Sequence, residues 1–545
     1  MTTTTVGEYS SARATIVREA WIAAGAALAF SAALLLLLPS GSDLAAHEYQ
    51  LSLFAQHGLT LWDNFWYGGR YTFVTYSVLY YPLAALLGIK LLALAGIAVA
   101  AAAFTLVTAR EWGRDAIWAS RVFALVWAAF VVTAAFPFAL GVAFGALALA
   151  AVQVRARRRF IALALLTLLA SPVAFALLSI VAAGVFLARR RQWSDEVALA
   201  LPLVGFGLAE VVLWRLFPDP GRYPFPLAQF AAAATFCLLG VAATWRVERA
   251  RPLMWIFVIY LLACSAAFVL PSAVGENIAR LRFMALPLAV LALSLRGWRP
   301  RLPAIALVVL AASWNLTPLG WVVDRNVRDS AGTATYWADT AAFLHTRLTP
   351  NHRVEVVDTA SHWASYYLAR QRLPLARGWY RQDDFPQNAL LYDDLTARRY
   401  LDWLHRLAVL YVVLPDVELD YSAQAEAKLL RSRTNPLWPV ARLRHVTVFQ
   451  VPDAQPLVSG TGRAEVVALT PKAIALRLSA AGRYRVAVRY SPYWRASRGC
   501  VSRTRDGAIA LSTSGAARST LTLDVGLQRM LATLTERDHE CPAPN

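Results

Sequence analysis

The pattern of apolar and polar positions changes character near residue 321. Upstream, long Ala-, Leu- and Val-rich runs are separated by short charged clusters. Downstream, charges are frequent and apolar runs shrink to strand length. A bilayer core takes roughly 20 apolar residues per helix, and cutting the upstream runs at that length predicts about eleven spans. They fall at 17–39, 79–108, 116–134, 137–154, 160–173, 174–188, 197–217, 226–245, 252–271, 279–295 and 302–321. The run 160–188 is long for one helix, and Ser171-Pro172 at its middle predicts two short helices joined by a tight turn. Phe136-Pro137 separates the preceding pair in the same way.

The tail alternates helices (335–348, 395–404, 423–431) with strands (353–358, 409–414, 446–451), the signature of a small α/β layer. From about residue 460 the pattern turns to short alternating strands at 473–478, 484–490, 519–525 and 530–535, which predicts a β-sandwich. No Gly-rich phosphate loop follows a strand, so a nucleotide site is not expected. The expected fold is therefore an α-helical polytopic membrane domain over 1–321, followed by an extracytoplasmic α/β domain over 322–459 and a β-sandwich-like domain over 460–545.

Composition supports lipid as the solvent for the first part. Hydrophobic residues make up 58% of the chain and charged residues 16%, against about 25% charged in soluble domains. Trp21 to Leu38 is apolar, but no small-residue cleavage site follows in Pro39-Ser40-Gly41-Ser42, so this segment reads as the first membrane helix. A net charge of +19 raises the question of nucleic acid. Lys occurs only at Lys90, Lys428 and Lys472, and the remaining basic residues are Arg, many of them between apolar runs. Their placement has a membrane explanation, and no nucleic-acid partner is expected.

One set of alternate connections carries Arg110 and Arg114; Arg155, Arg157, Arg158 and Arg159; Arg189, Arg190 and Arg191; Arg246, Arg249 and Arg251; Arg296, Arg299 and Arg301. The other set carries Arg70, Arg222, Arg280 and Arg282. Basic connections stay cytoplasmic, which places the N-terminus inside and the tail outside the membrane. Cys237 and Cys264 lie in apolar runs; Cys500 and Cys541 lie in the tail, where export would permit a disulfide that spacing alone does not decide.

Candidate chemistry gathers on the outside. The first outside loop opens Ser42-Asp43-Leu44-Ala45-Ala46-His47-Glu48, and Asp43, His47 and Gln50 recur at helical spacing on one face. It continues Trp62-Asp63-Asn64-Phe65-Trp66-Tyr67-Gly68-Gly69-Arg70 and ends Tyr80-Tyr81-Pro82-Leu83. Trp62, Trp66, Tyr80 and Tyr81 fit an interfacial aromatic belt. Asp43 reads either as a helix cap or as a functional carboxylate near the membrane. Glu276, Arg280 and Arg282 form a second outside cluster, and Arg222 a weaker one. Arginine forks at a helix start suit a phosphate, or else ordinary phospholipid contact and pairing with Glu276. In Tyr490-Ser491-Pro492-Tyr493-Trp494-Arg495 the aromatics form either a carbohydrate-binding surface or a buried corner. No metal-ligand spacing is present, and neither a metal nor a cofactor is expected.

This layout resembles the GT-C superfamily of polyprenyl-phosphate-sugar-dependent glycosyltransferases. The resembling features are the first helix, the acidic residue in a long first outside loop, the aromatics leading to Tyr80-Tyr81-Pro82-Leu83, the short paired helices around Ser171-Pro172 and the outside tail. Within the superfamily it looks most like YfhO-like and 6-pyruvoyl-tetrahydropterin synthase-related bacterial membrane proteins, as does Gly275-Glu276-Asn277 with Arg280-Leu281 and Pro287-Leu288. The resemblance implies Asp43 as general base on an acceptor hydroxyl. Many members carry two adjacent acids there; this chain has Asp43-Leu44, with Glu48 five positions on as the second candidate acid. His47, Arg70, Tyr81, Arg222, Glu276, Arg280 and Arg282 are the candidate substrate-binding residues. The implied partners are a polyprenyl-phosphate-linked sugar, an envelope glycan or lipid acceptor, and the bilayer. The alternatives are a non-catalytic scaffold of this architecture and a transporter or flippase, for which Glu210 is the main mid-span acid.

Overall fold

The computed structural model describes residues 4–39, 41–189, 193–218, 221–535 and 541. Ser40, Arg190 and Arg191, which entered the reading above, lie outside the described residues. The chain forms two compact units. The first comprises Met1–Gly41, Tyr76–Glu210 and Arg222–Val327, and the second Ser42–Thr75, Val211–Gly221 and Arg328–Asn545.

The first unit is helical. Among the described residues, eight helical stretches are long and apolar enough to cross a membrane, and Pro172–Ala188 is a shorter apolar helix. One of the eight, Ile89–Thr133, is interrupted by a 3-10 turn at Gly113–Ala116, where Gly113 takes φ 61°. Leu201, Val204 and Leu208 on Trp193–Leu216 are 62%, 57% and 61% exposed, an apolar face of the kind that lipid covers. The protein is a polytopic membrane protein.

Local sequence explains the breaks. Arg157–Ala170 stops at Ser171, whose extended backbone starts Pro172–Ala188 and whose hydroxyl accepts from the Ala174 N–H at 3.3 Å. Phe136–Gln153 likewise begins with Pro137 in its first turn. Small residues let helices approach closely. A Cβ added at Gly184 would lie 2.7 Å from the backbone of Ile256, and one at Gly240 would enter the Phe257 ring.

The second unit contains a four-stranded mixed sheet. Arg353–Val356 pairs parallel with Val409–Pro415, which pairs antiparallel with Val446–Gln450, itself flanked by Trp438–Arg442. Helices Ala334–Arg347, Ala397–Arg406 and Gln424–Arg431 accompany it. Two four-stranded antiparallel sheets follow, one built on Gly482–Arg489 and Ala508–Thr513, the other on Ala473–Leu478 and Ala517–Leu523. Their core holds Ile474, Leu476, Tyr484, Val486, Ile509 and Leu521. Cys500 and Cys541 form a disulfide, with Cα atoms 5.6 Å apart.

Two expectations are corrected here, and one open alternative is decided. The segment 530–535 is not a strand but part of the helix Leu527–Leu534, because its apolar residues Leu527, Met530, Leu531 and Leu534 recur at helical spacing. Trp62, Trp66, Tyr80 and Tyr81 are not an interfacial belt: all four are fully buried inside protein. Tyr493 and Trp494 form the buried corner, with the Tyr493 hydroxyl donating to the Leu216 carbonyl at 2.7 Å.

Candidate functional site

The candidate residues fall into the two units as follows. Asp43, His47, Glu48 and Arg70 belong to the second; Tyr81, Arg222, Glu276, Arg280 and Arg282 belong to the first.

Asp43 is the first residue of the helix Asp43–His57, which starts six positions after the first apolar helix ends at Leu37. Free N–H groups at a helix start stabilise negative charge. Asp43 and Glu48 are half-buried, whereas Leu44, Ala45, Ala46, His47, Tyr49 and Gln50 are buried. The helix therefore starts on a half-buried carboxylate and anchors itself through its buried residues. Asp43 and His47 share a face, as their spacing predicts. Glu48 lies about 140° around the helix from Asp43 and acts on another group: its charge helps to raise the Tyr367 hydroxyl, after the larger effects of burial and Tyr366.

Buried contacts fix this helix. The Tyr49 ring stacks on Trp66 at 4.4 Å, and its hydroxyl donates to Asp63 at 3.0 Å. Asp63 stands opposite Arg70 in a two-residue hairpin, Trp62–Asp63 with Arg70–Tyr71. Burial pushes the Asp63 carboxyl up to about 6, against the Phe65 N–H, Tyr49 and Arg70, which pull it down. Arg70 is buried, pairs with Asp383 at 2.6 Å and lies over the Tyr380 ring at 4.3 Å. The Trp66 indole donates to the Ser365 carbonyl at 3.0 Å, and the Tyr67 hydroxyl donates to the Tyr380 carbonyl at 3.0 Å. The first loop is thus bound into the segment 365–383.

Beneath that segment lies an ionic network that sequence reasoning missed. Arg377 reaches Glu426 at 3.1 Å and Asp358 at 3.4 Å, and its Nε donates to Glu355 at 2.7 Å. His362 stacks on Trp379 at 3.3 Å, between Asp358 at 3.5 Å and Asp420 at 3.6 Å. Burial works against the charged imidazole, yet the two aspartates raise it above its ordinary value. Burial likewise opposes the Asp420 carboxylate, but His362, Arg381 and the Ser422 N–H hold it far below the usual carboxylate range. Tyr400 and Tyr392 donate to Glu426 and Asp384, each at 2.6 Å. Apart from the partly buried Trp379 and Tyr392 these groups are buried, and they hold the loop's platform. No local spacing announces the network, because its acids come from 355–358, 383–384 and 420–426.

In the membrane unit, Glu276, Arg280 and Arg282 share the 3-10 helix Gly275–Met284. The Tyr223 N–H donates to the Ser272 carbonyl at 2.9 Å, which brings the exposed Arg222 to the start of that helix. Arg280 donates to Asn277 at 2.7 Å and lies over the Phe138 ring at 4.9 Å; Arg282 donates to Gln229 at 2.8 Å. Arg280 also lines an apolar cavity of about 200 Å³ among the helices. Of the other charged residues on its wall, Glu111 and Arg189 pair with each other at 2.8 Å. Tyr81 is fully buried, edge-on to Tyr80 at 5.4 Å. Among the described residues no group of three or more His, Cys, Asp and Glu is placed to hold a metal ion.

No family model matches the chain, and no curated protein matches it. Solved structures similar to the chain include two single-particle cryo-EM structures of the arabinofuranosyltransferase AftD from Mycobacteria. A mutant form gives a TM-score of 0.46 at 17% identity, over 83% of this chain and 42% of that one. The other gives 0.46 at 14% identity, over 94% of this chain and 57% of that one. The chain thus spans about half the length of these structures, and at that TM-score no residue role transfers between them.

Proposed function

We propose that this protein is a membrane glycosyltransferase that moves a sugar from a polyprenyl-phosphate donor to an envelope glycan or lipid on the extracytoplasmic side. The observation that carries the reading is the helix Asp43–His57, which opens on the half-buried carboxylate of Asp43 and is clamped by its buried residues, directly after an apolar helix. In the resemblance to GT-C glycosyltransferases this is the position of the base. Asp43 takes the proton of an acceptor hydroxyl, whose oxygen attacks the anomeric carbon, and the phosphate leaves with the electrons of the broken C–O bond. His47 shares the face of Asp43 and orients it. Glu48, with Tyr367, holds the acceptor. Arg70 acts through Asp383, keeping the loop in place.

The donor's phosphate is assigned to Arg280 and Arg282, with Glu276 and Arg222 at the same helix start, and its chain to the apolar cavity that Arg280 lines. Guanidinium forks held by neutral partners such as Asn277 and Gln229 keep their charge available for an anion. Tyr81 packs edge-on against Tyr80 within the membrane unit. The N-terminus is assigned to the cytoplasm by its arginine pattern, with eleven crossings.

The test is transfer of radiolabelled sugar in membranes that contain the wild-type protein or Asp43→Asn at equal abundance. The variant is expected to lose about 10²-fold or more of the rate, as for removal of a general base, with unchanged thermal stability. An unchanged rate removes Asp43 as the base.

A further inference from the structure

The second unit contains a cavity of about 1100 Å³ that the transfer reaction above does not use. Its wall is dominated by arginine. Arg485 and Arg489 come from the strand Gly482–Arg489, Arg503 and Arg505 from the end of Cys500–Arg503 and the turn after it. Arg406 ends the helix Ala397–Arg406, Arg529 lies on Leu527–Leu534, and Arg215 lies in the last turn of Trp193–Leu216. Two acids line the same wall, and both are committed. Asp383 pairs with Arg70, and Asp506 pairs with Arg485 at 2.6 Å. Arg406, Arg503 and Arg505 are exposed and make no ion pair among the described residues. Arg529 donates to the Pro492 and Trp494 carbonyls, at 3.4 Å each.

Like charges gathered on one concave surface repel one another, and a polyanionic ligand relieves that repulsion. Arginine forks match phosphate oxygens in pairs. Between them, Trp214 and Tyr490 present aromatic surface to the same space, and aromatic faces pack against the C–H faces of sugar rings as they do against other apolar surface. The volume is at the upper end of small-ligand sites, enough for more than one sugar ring.

We propose that this cavity binds a phosphorylated saccharide, with the phosphate on Arg406, Arg503 and Arg505 and the sugar against Trp214 and Tyr490. The proposal stands apart from the transferase reading, since none of these residues takes part in the transfer chemistry.

The test uses the full chain in phosphatidylcholine nanodiscs, titrated with glucose 1-phosphate and separately with glucose. Glucose 1-phosphate is expected to bind more tightly than glucose by roughly tenfold or more, to weaken as salt rises, and to be displaced by inorganic phosphate. The double variant Arg503→Ala/Arg505→Ala is expected to weaken binding about tenfold at an unchanged melting temperature. If that variant melts early, Arg406→Gln carries the same comparison. Equal binding of glucose and glucose 1-phosphate, no binding at millimolar concentration, or affinity unaffected by the well-folded variants overturns the proposal. Repeating the titration in phosphatidylglycerol nanodiscs separates the sources. Competition by the lipid identifies the phosphate of a headgroup as the occupant, and unchanged affinity identifies a soluble phosphorylated glycan; both uphold the phosphate chemistry.

Discussion

Asp63 is held between burial, which opposes its charge, and Arg70 and the Phe65 N–H, which favour it; burial wins, and the carboxyl sits at about 6. Its pH consequence has a definite sign. In the unfolded chain the group titrates near 3.9, so the folded state binds the proton more tightly. Asp63 therefore contributes stability that is complete below about pH 4 and is lost as pH rises through 6. A shift of about two units is worth at most about 3 kcal/mol. Asp63→Asn has no such titration, so its melting temperature should gain on that of wild type between pH 4 and 7, read by scanning fluorimetry. A difference independent of pH contradicts the assignment. At this scale the sequence pointed to Asp43 and its helical face, because position relative to an apolar run is a local property. Asp63, Asp383 and Asp420 were invisible, because burial gives Asp63 its character, and partners in other elements give Asp383 and Asp420 theirs. His362 is the clearest case: nothing around it in the chain shows that it stacks on Trp379 between two aspartates.

At the scale of elements, helices were legible wherever length and a breaker agreed, as at Ser171-Pro172 and Phe136-Pro137. The strands 353–358, 409–414 and 446–451 were legible as short runs of Val, Leu and Tyr. The helix Leu527–Leu534 was misread because a short, partly apolar stretch following a series of strands fits either period unless its spacing is counted. Aromatic placement was misread for a different reason. Trp62 and Trp66 resemble a belt in sequence, but the loop that bears them folds into protein, with the indole of Trp66 donating to Ser365. Close approach of helices was not legible at all, since a glycine in an Ala-rich run looks like any other small residue. It is testable at Gly184. Gly184→Val should drive the helix Pro172–Ala188 away from Ile256 and cost roughly 1–3 kcal/mol, seen as a lower inactivation temperature in detergent. Gly205→Val on the Trp193–Leu216 helix, where an added Cβ meets nothing within 4 Å, should have little effect.

At the scale of the whole molecule, the account rests on a polytopic membrane unit and a second unit that carries the first loop. The sequence reading drew its main boundary near residue 321; the compact units instead join Ser42–Thr75 to the tail, which no local composition could show. The Cys500–Cys541 disulfide probes orientation. Disulfides form and persist in oxidising compartments, so both thiols should resist a maleimide in intact membranes until a reductant is added. Reduction should also lower the tail's stability by roughly 3–4 kcal/mol, from closure of a loop of this length. Ready labelling without reductant would contradict an extracytoplasmic tail. The central claim is that Asp43 makes this protein a transferase. Its most direct measurement is complementation of cells that lack the protein, with wild type or Asp43→Asn at equal membrane abundance and envelope glycans read by mass spectrometry. The account predicts that wild type restores a missing glycan and Asp43→Asn does not. Equal restoration by both would contradict it.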